Sequence, residues 1–180
     1  MRMAPIIETP DATLALAVAG STSRLGKVIA CAYAGEVRIG QKTIEIWGYG
    51  GARSVETMNA FGICHALEEV YAEQDRDEPR IHIFAPAIGF MRFVNDHAPD
   101  WELRGGKNPQ GEVPDAHEEW RRLWQIAHIG TLSVGKATLS QFGLKRVRAE
   151  AKRLAEVAHW EAAFNTAGIA RQGNNFGVAK

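Results

Sequence analysis

Three short apolar runs precede the first predicted helix, and this pattern constrains the fold more than any other feature of the chain. The runs extend from Ala12 to Ala19, from Lys27 to Ala34 and from Lys42 to Tyr49. Short apolar segments bounded by glycine and serine are typical of strands, and the third run also alternates apolar and polar residues. We expect turns at residues 20–23 and a break at Gly35. The sequence therefore predicts an antiparallel meander of three strands.

Helices alternate with two further strands after the meander. Apolar residues at helical spacing predict a helix from Ser54 or Val55 to Gln74, and the run from Arg80 to Ala85 predicts a fourth strand. Pro86 is expected to open a helix that ends at Asn95, because a residue in the first helical turn needs no amide donor. The remaining predictions are an irregular connection over 99–114 with an extended piece at 101–104, a helix from Asp115 or Ala116 to Ala127, a strand over 128–137 and a helix from Leu139 to about Phe164.

The length of the chain favours one domain with short extensions. A chain of 180 residues lies within the usual range for a single core. We expect an N-terminal extension over residues 1–11, the domain over 12–165, and a flexible tail over 166–180, where glycine and asparagine are frequent. Cys31 and Cys64 lack metal or disulfide spacing and predict reduced thiols. No segment suits export or a membrane span, so we expect a cytoplasmic protein.

The segment VETMNAFGICHAL, residues 55–67, resembles the first helix of bacterial ribonuclease H, which is usually written N-N-R-M-E-L-M-A-A-I-x-A-L. The order of strands and helices is also that of ribonuclease H-like folds. Further matches are the opening strand and its D-G-S turn at residues 14–21, L-x-T-D-S-x-Y-V near residues 80–91, W-x-x-L at Trp120 and Leu123, and C-D-E-L-A at residues 151–155. The resemblance spans roughly residues 12–158. It implies an α/β fold with a five-stranded mixed sheet, in which strands 1–3 form an antiparallel meander and strands 4 and 5 are parallel, flanked by helices.

The resemblance also implies where catalytic carboxylates would lie. Nucleases of this family hold two divalent ions between carboxylates, but the four matching positions are occupied by Ala19, Asn59, Pro86 and Lys152. Neither residues 12–35 nor residues 79–94 contain an aspartate or glutamate, so a small shift of the alignment restores nothing. We therefore expect no catalytic residues, no metal site and no cofactor, and interpret the chain as a pseudoenzyme.

An active enzyme with a relocated site is the least favoured alternative. A single Mg²⁺ or Mn²⁺ held by glutamates near the expected face would make the chain an endoribonuclease for RNA/DNA hybrids. The candidate ligands are Glu45, Glu56, Glu150 and Glu156.

The favoured interpretation is a non-catalytic module that binds RNA, DNA or an RNA/DNA hybrid. The 21 basic and 21 acidic residues cancel, so binding would depend on a local basic face. Basic residues of the last strand and helix form such a face: Lys136, Lys145, Arg146, Arg148, Lys152 and Arg153. The resemblance adds Ser21, Thr22, Ser54 and Asn59 as residues near the duplex.

A protein-interaction subunit or scaffold of a nucleic-acid-processing complex is the second interpretation. An exposed apolar patch or a tight homo-oligomer would favour it. Trp101, beside a loop rich in glycine and proline, is a candidate for stacking a base or anchoring such a partner.

Overall fold

The computed structural model describes residues 10–74, 80–85, 98–101, 103–107, 110–113, 115–129, 132–136, 141, 143–161 and 167–176. Within them the chain forms one mixed sheet with helices packed on both faces. The strands are β1 (Ala12–Leu25), β2 (Val28–Ile39), β3 (Lys42–Ala52), β4 (Ile81–Ala85), β5 (Leu132–Lys136) and β6 (Gly168–Asn174). The helices are α1 (Thr57–Glu73), α2 (Ala98–Trp101), α3 (His117–Ile129) and α4 (Leu144–Trp160).

The predicted five-stranded mixed sheet is confirmed, and a sixth strand extends it. The strand order is β5-β4-β1-β2-β3-β6. Strands β1, β2 and β3 form the antiparallel meander, and β4 and β5 continue the sheet in parallel from β1. Because β4 pairs only with the first residues of β1, from Ala12↔Ile81 to Ala15↔Phe84, the second half of β1 extends beyond it.

The first two strands are longer than predicted. Residues 20–23, expected to form a turn, lie within β1 beside an irregularity in its pairing with β2 between Gly20 and Arg24. The actual turn is at Gly26 and Lys27, where Gly26 has a φ of 62° that suits glycine. Gly35 lies inside β2 and not at a break, because the side chains of Leu14 and Ile46 cover the space above it.

The prediction of a flexible tail over 166–180 was wrong for the part that the structure describes. Residues 168–174 form β6, which pairs antiparallel with β3. The sequence has no apolar pattern that would predict this strand, because its side chains are exposed or half-buried. Its backbone ladder and three polar side chains hold it instead, and one of these, Arg171, pairs with Glu161 at 3.5 Å. The Tyr33 hydroxyl donates to Gln172 at 3.3 Å, and Asn174 accepts a hydrogen bond from His65 Nε2 at 3.1 Å.

Several helix boundaries also differ from the predictions. Trp101 belongs to α2 and not to an extended piece, and His128 belongs to α3 and not to the fifth strand. Helix α4 begins at Leu144, directly after Gly143 with its φ of 74°, and ends at Trp160. The helix predicted from Pro86 to Asn95 lies outside the described residues.

Two cores form on opposite faces of the sheet. On the first face α1 and α3 cover large side chains, and Tyr33 fills the space left by Gly48 and Gly62. On the second face α4 covers an alanine layer that lets the helix approach the strands closely. This layer consists of Ala17, Ala30, Ala32 and Ala34 from the sheet and Ala151, Ala155 and Ala158 from α4.

The two cysteines are free and buried, as expected of reduced thiols, and burial raises the pKa of each to about 12. No helix among the described residues has the length and apolar character needed to cross a membrane.

Candidate nucleic-acid interface

The position that matches the first family carboxylate is part of the α4 core. Ala19 lies in β1, pairs with Ala32 of β2, and packs half-buried against the alanine layer and its neighbours. It lies beyond the last described pair of the β1 and β4 ladder. Pro86, at another matching position, falls outside the described residues.

The two matching positions that lie in helices, Asn59 and Lys152, differ in their surroundings. Asn59 in α1 is only 1% exposed, and its amide donates to the main-chain carbonyl of Glu56 at 3.1 Å. Lys152 lies on the exposed side of α4. Its neighbour Ala151 is fully buried and therefore supplies the contact with the sheet.

These residues do not fit the pair of divalent ions that the fold family implies. Mg²⁺ requires oxygen ligands, preferably charged ones. The methyl group of Ala19 and the ammonium of Lys152 offer none, and Asn59 is buried within its own helix. Among the described residues, no group of three or more histidine, cysteine, aspartate or glutamate side chains is arranged to hold a metal ion.

The glutamates proposed for a relocated site are far apart or already paired. Glu45 binds the guanidinium of Arg146, and Glu150 binds that of Arg153 at 2.6 Å. Glu45 and Ala52 are separated by most of β3, so Glu45 lies roughly 23 Å from the sheet end where Glu56 follows. Glu150 and Glu156 are six positions apart on α4 and project in different directions. The four carboxylates therefore do not converge on one ion.

The serines and threonine of the predicted interface lie at the end of the sheet where β1 and β3 finish. Ser21 is half-buried in β1, and Thr22 follows it in the same strand, with a side chain outside the described set. Ser54 is exposed in the connection to α1, where its hydroxyl hydrogen-bonds the carboxylate of Glu56 and also accepts from the Glu56 amide at 3.3 Å. The described hydrogen bonds of Ser54 join it to Glu56 and not to the basic residues of α4.

Three of the predicted basic residues form an exposed stripe on α4. Lys145, Arg148 and Lys152 are three and four positions apart, so they lie on one side of the helix. Among the described residues, no ion pair involves any of the three. We call these three residues the α4 stripe.

The other predicted cations are neutralised or undescribed. Arg146 binds Glu36 and Glu45 and lies over the ring of Phe176, with 5.1 Å between the guanidinium carbon and the ring centroid. Arg153 pairs with Glu150. Lys136 ends β5, and its side chain is not among those described. The basic face is therefore narrower than the sequence suggested.

The sequence contained a signal for the partners of Arg146. A two-residue turn at Gly40 and Gln41 fixes the register of β2 and β3 and places Glu36 opposite Glu45. Two facing carboxylates, one of them only 6% exposed, need a cation between them. Arg146 is that cation.

Trp101 is not available to stack a base or anchor a partner. Its side chain is 5% exposed, and its ring lies 5.3 Å from that of His117. Gly106 packs its backbone against both rings, since a Cβ there would lie 2.6 Å from His117 Nε2. Trp101 is therefore a core residue at the end of α2.

No protein-family model matches the chain, and no curated protein matches it. Solved structures do. LC9-RNase H1, a type 1 RNase H with the type 2 active-site motif, matches 95% of this chain and 80% of its own length, with a TM-score of 0.59 and 14% identity. The PFV RNase H domain matches 89% of this chain and 100% of its own, with a TM-score of 0.56 and 12% identity.

A third match is the foamy viral protease-reverse transcriptase in complex with an RNA/DNA hybrid. It covers 89% of this chain but only 21% of the viral protein, with a TM-score of 0.57 and 14% identity. The chain thus spans about a fifth of that protein's length. Because the sequence identities are this low, the matches support the fold alone. They agree with the strand order and helix placement described above. The chain has a ribonuclease H-like fold.

Proposed function

We propose that this chain is a non-catalytic ribonuclease H-like module that binds nucleic acid through the α4 stripe. The observation that carries the proposal is Lys152, an exposed ammonium with no ion pair among the described residues, at the position that matches a metal-binding carboxylate of the family. A nuclease uses such a carboxylate to hold a cation against a phosphate. In this chain the side chain is itself the cation, so it can contact a phosphate directly.

The neighbours of Lys152 support the same role. Lys145 and Arg148 are exposed on the same side of the helix, and each adds a positive charge without a described carboxylate partner. Between the first and last of these residues the helix rises by about 10 Å. Three cations over that length suit a ligand with repeated negative charges, such as a nucleic-acid backbone.

The RNA/DNA hybrid is the first ligand to test. One matched protein, the foamy viral reverse transcriptase, was solved with such a hybrid. A hybrid probe also tests, in the same experiment, whether the chain is an active endoribonuclease with a relocated site. We would follow the anisotropy and the length of a labelled hybrid at low salt, with Mg²⁺, with Mn²⁺ and with EDTA.

The decisive variant replaces all three residues of the α4 stripe with alanine. A matched control removes three positive charges from exposed residues elsewhere, through Lys42→Ala, Lys107→Ala and Arg121→Ala. Both variants change the net charge from 0 to about −3, so a difference between them cannot be caused by net charge alone. We expect the stripe variant to lose most of its affinity and the control to lose little.

Each result separates the interpretations. Binding that weakens with salt and leaves the hybrid intact supports the proposal. Metal-dependent cleavage that is lost in Glu56→Gln or Glu156→Gln would overturn it in favour of a relocated active site. Neither binding nor cleavage of RNA, DNA or hybrid would also overturn it, and would favour the interaction-subunit interpretation.

A further inference from the structure

Trp160 at the end of α4 is exposed to a degree that is unusual for tryptophan. Its side chain is 80% exposed, whereas Trp47, Trp101 and Trp120 are at most 9% exposed. Tryptophan usually buries most of its large apolar surface. The helical spacing contained a signal for this exposure, because Trp160 follows the charged residues Lys152 and Glu156 at intervals of four.

Trp160 lies on the same side of α4 as the basic stripe. Positions 148, 152, 156 and 160 follow one another at intervals of four residues, which keeps them on one face. The indole is about 12 Å further along the helix axis than Lys152. His159 supports the indole from one side, with 5.0 Å between the ring centroids.

Glu156 lies between Lys152 and Trp160 and is also exposed. Its carboxylate repels phosphates, so it confines phosphate contacts to Lys152 and the residues before it. Beyond Glu156 the α4 face ends in the exposed Trp160 ring, and the neighbouring Glu161 is already paired with Arg171 at 3.5 Å. That arrangement suits a base, because base stacking on an aromatic side chain needs no charge.

We infer that Trp160 is a stacking platform for an unpaired base, and that the ligand of the α4 stripe therefore contains a single-stranded segment. The inference rests on the proposed function, since the stripe supplies the phosphate contacts. The inference adds the class of nucleic acid that the α4 stripe binds, which is one with a single-stranded segment. The bases of a continuous duplex are stacked on one another and paired, so their faces are closed to the indole except at the ends. A single strand presents its bases freely.

The test compares a labelled oligo-uridine strand with a labelled blunt RNA/DNA duplex. We expect Trp160→Ala to weaken binding of oligo-uridine about tenfold and to change binding of the duplex less than about twofold. Trp160→Phe should retain most of the affinity because it keeps an aromatic face. Leu103→Ala is the matched control, since Leu103 is 85% exposed at a distant position in the sequence, and it should leave both affinities unchanged.

A second measurement detects stacking itself. Addition of oligo-uridine should quench the tryptophan emission of the wild type more than that of Trp160→Phe, because a stacked base quenches the indole. Thermal unfolding should show equal Tm values for wild type and both Trp160 variants, as expected for a side chain with so little burial.

The outcomes distinguish the inference from the proposed function. If the stripe variant loses affinity for both probes while Trp160→Ala loses affinity for neither, or for both equally, the inference is overturned and the proposed function stands. If the stripe variant binds both probes as the wild type does, or the wild type binds neither, both fail.

Discussion

The salt dependence of binding should report how many phosphates the α4 stripe contacts. Each phosphate that a protein neutralises on a duplex contributes about 0.9 to the slope of log K against log salt concentration. Lys145, Arg148 and Lys152 are the three exposed cations of the stripe. Replacing all three by alanine should therefore reduce the slope by about 2.7 on an RNA/DNA hybrid and by about 2 on a single strand.

The expected number is three and not five because of the ion pairs on α4. Arg146 is shared between Glu36 and Glu45, and Arg153 is held by Glu150. A phosphate would have to displace a carboxylate that already neutralises the guanidinium, so these residues release few counterions. Over a fourfold increase in salt, the three cations of the α4 stripe correspond to a loss of about 40-fold in affinity on the hybrid.

Anisotropy titrations at several potassium chloride concentrations measure these slopes directly. The control variant that replaces Lys42, Lys107 and Arg121 should keep a slope within about one unit of the wild type. Equal reductions in both triple variants would refute the reasoning, because they would show that net charge and not the stripe governs binding. A slope of about 1.8 that remains on the hybrid in the stripe variant would show that Arg146 and Arg153 also contact phosphates.

Three further predictions concern other parts of the chain. Gly48→Ala would place a Cβ 2.5 Å from the Tyr33 ring, so it should lower the free energy of unfolding by about 1–3 kcal/mol in urea titrations, and a double-mutant cycle with Tyr33→Leu should show strong coupling. Glu156→Gln should strengthen oligo-uridine binding about twofold to threefold at low salt by removing a repulsive charge, whereas Glu118→Gln on α3 should not; weaker binding would contradict the orientation of the stripe. Burial lowers the pKa of His65 despite the opposing effects of Glu69, Asn174 and Glu68, so the native state binds fewer protons than the unfolded state and the free energy of unfolding should fall as the pH drops below about 6.5. Urea titrations at pH 7.5 and 5.5 should show a smaller pH difference in His65→Gln, and an unchanged difference would contradict this assignment.

The elements that bury a regular apolar pattern were predictable from the sequence. Residues 12–19, 27–34 and 42–49 carry enough apolar side chains to identify the meander, and α1 and α4 were recognised from helical spacing. Their ends were not, because β1 and β2 continue through Gly20 and Gly35, residues that usually interrupt strands. Neighbouring side chains occupy the space where a Cβ of either glycine would lie, and only the tertiary structure places them there.

Strand β6 and the neutralisation of Arg146 depend on long-range contacts. Gln172 and Asn174 anchor β6 to side chains more than a hundred positions earlier in the chain, Tyr33 and His65. A local pattern cannot contain that information. Long-range contacts also decide the charge of α4. The sequence shows five basic residues in this helix, but it does not show which of them form ion pairs with carboxylates.

The alanine layer links the two positions, 19 and 152, that match family carboxylates, because position 19 lies beside it on the sheet and position 152 follows its residue Ala151 on α4. Ala19 packs half-buried against the core that α4 covers, and Val28 and Val157 pack against the same core. Hydrated magnesium needs oxygen ligands, and neither Ala19 nor the alanine layer beside it offers one. Position 152 could not complete such a site either, because the buried Ala151 turns Lys152 toward solvent. The close packing that places α4 on the sheet thus directs its cations outward, where a phosphate backbone can reach them.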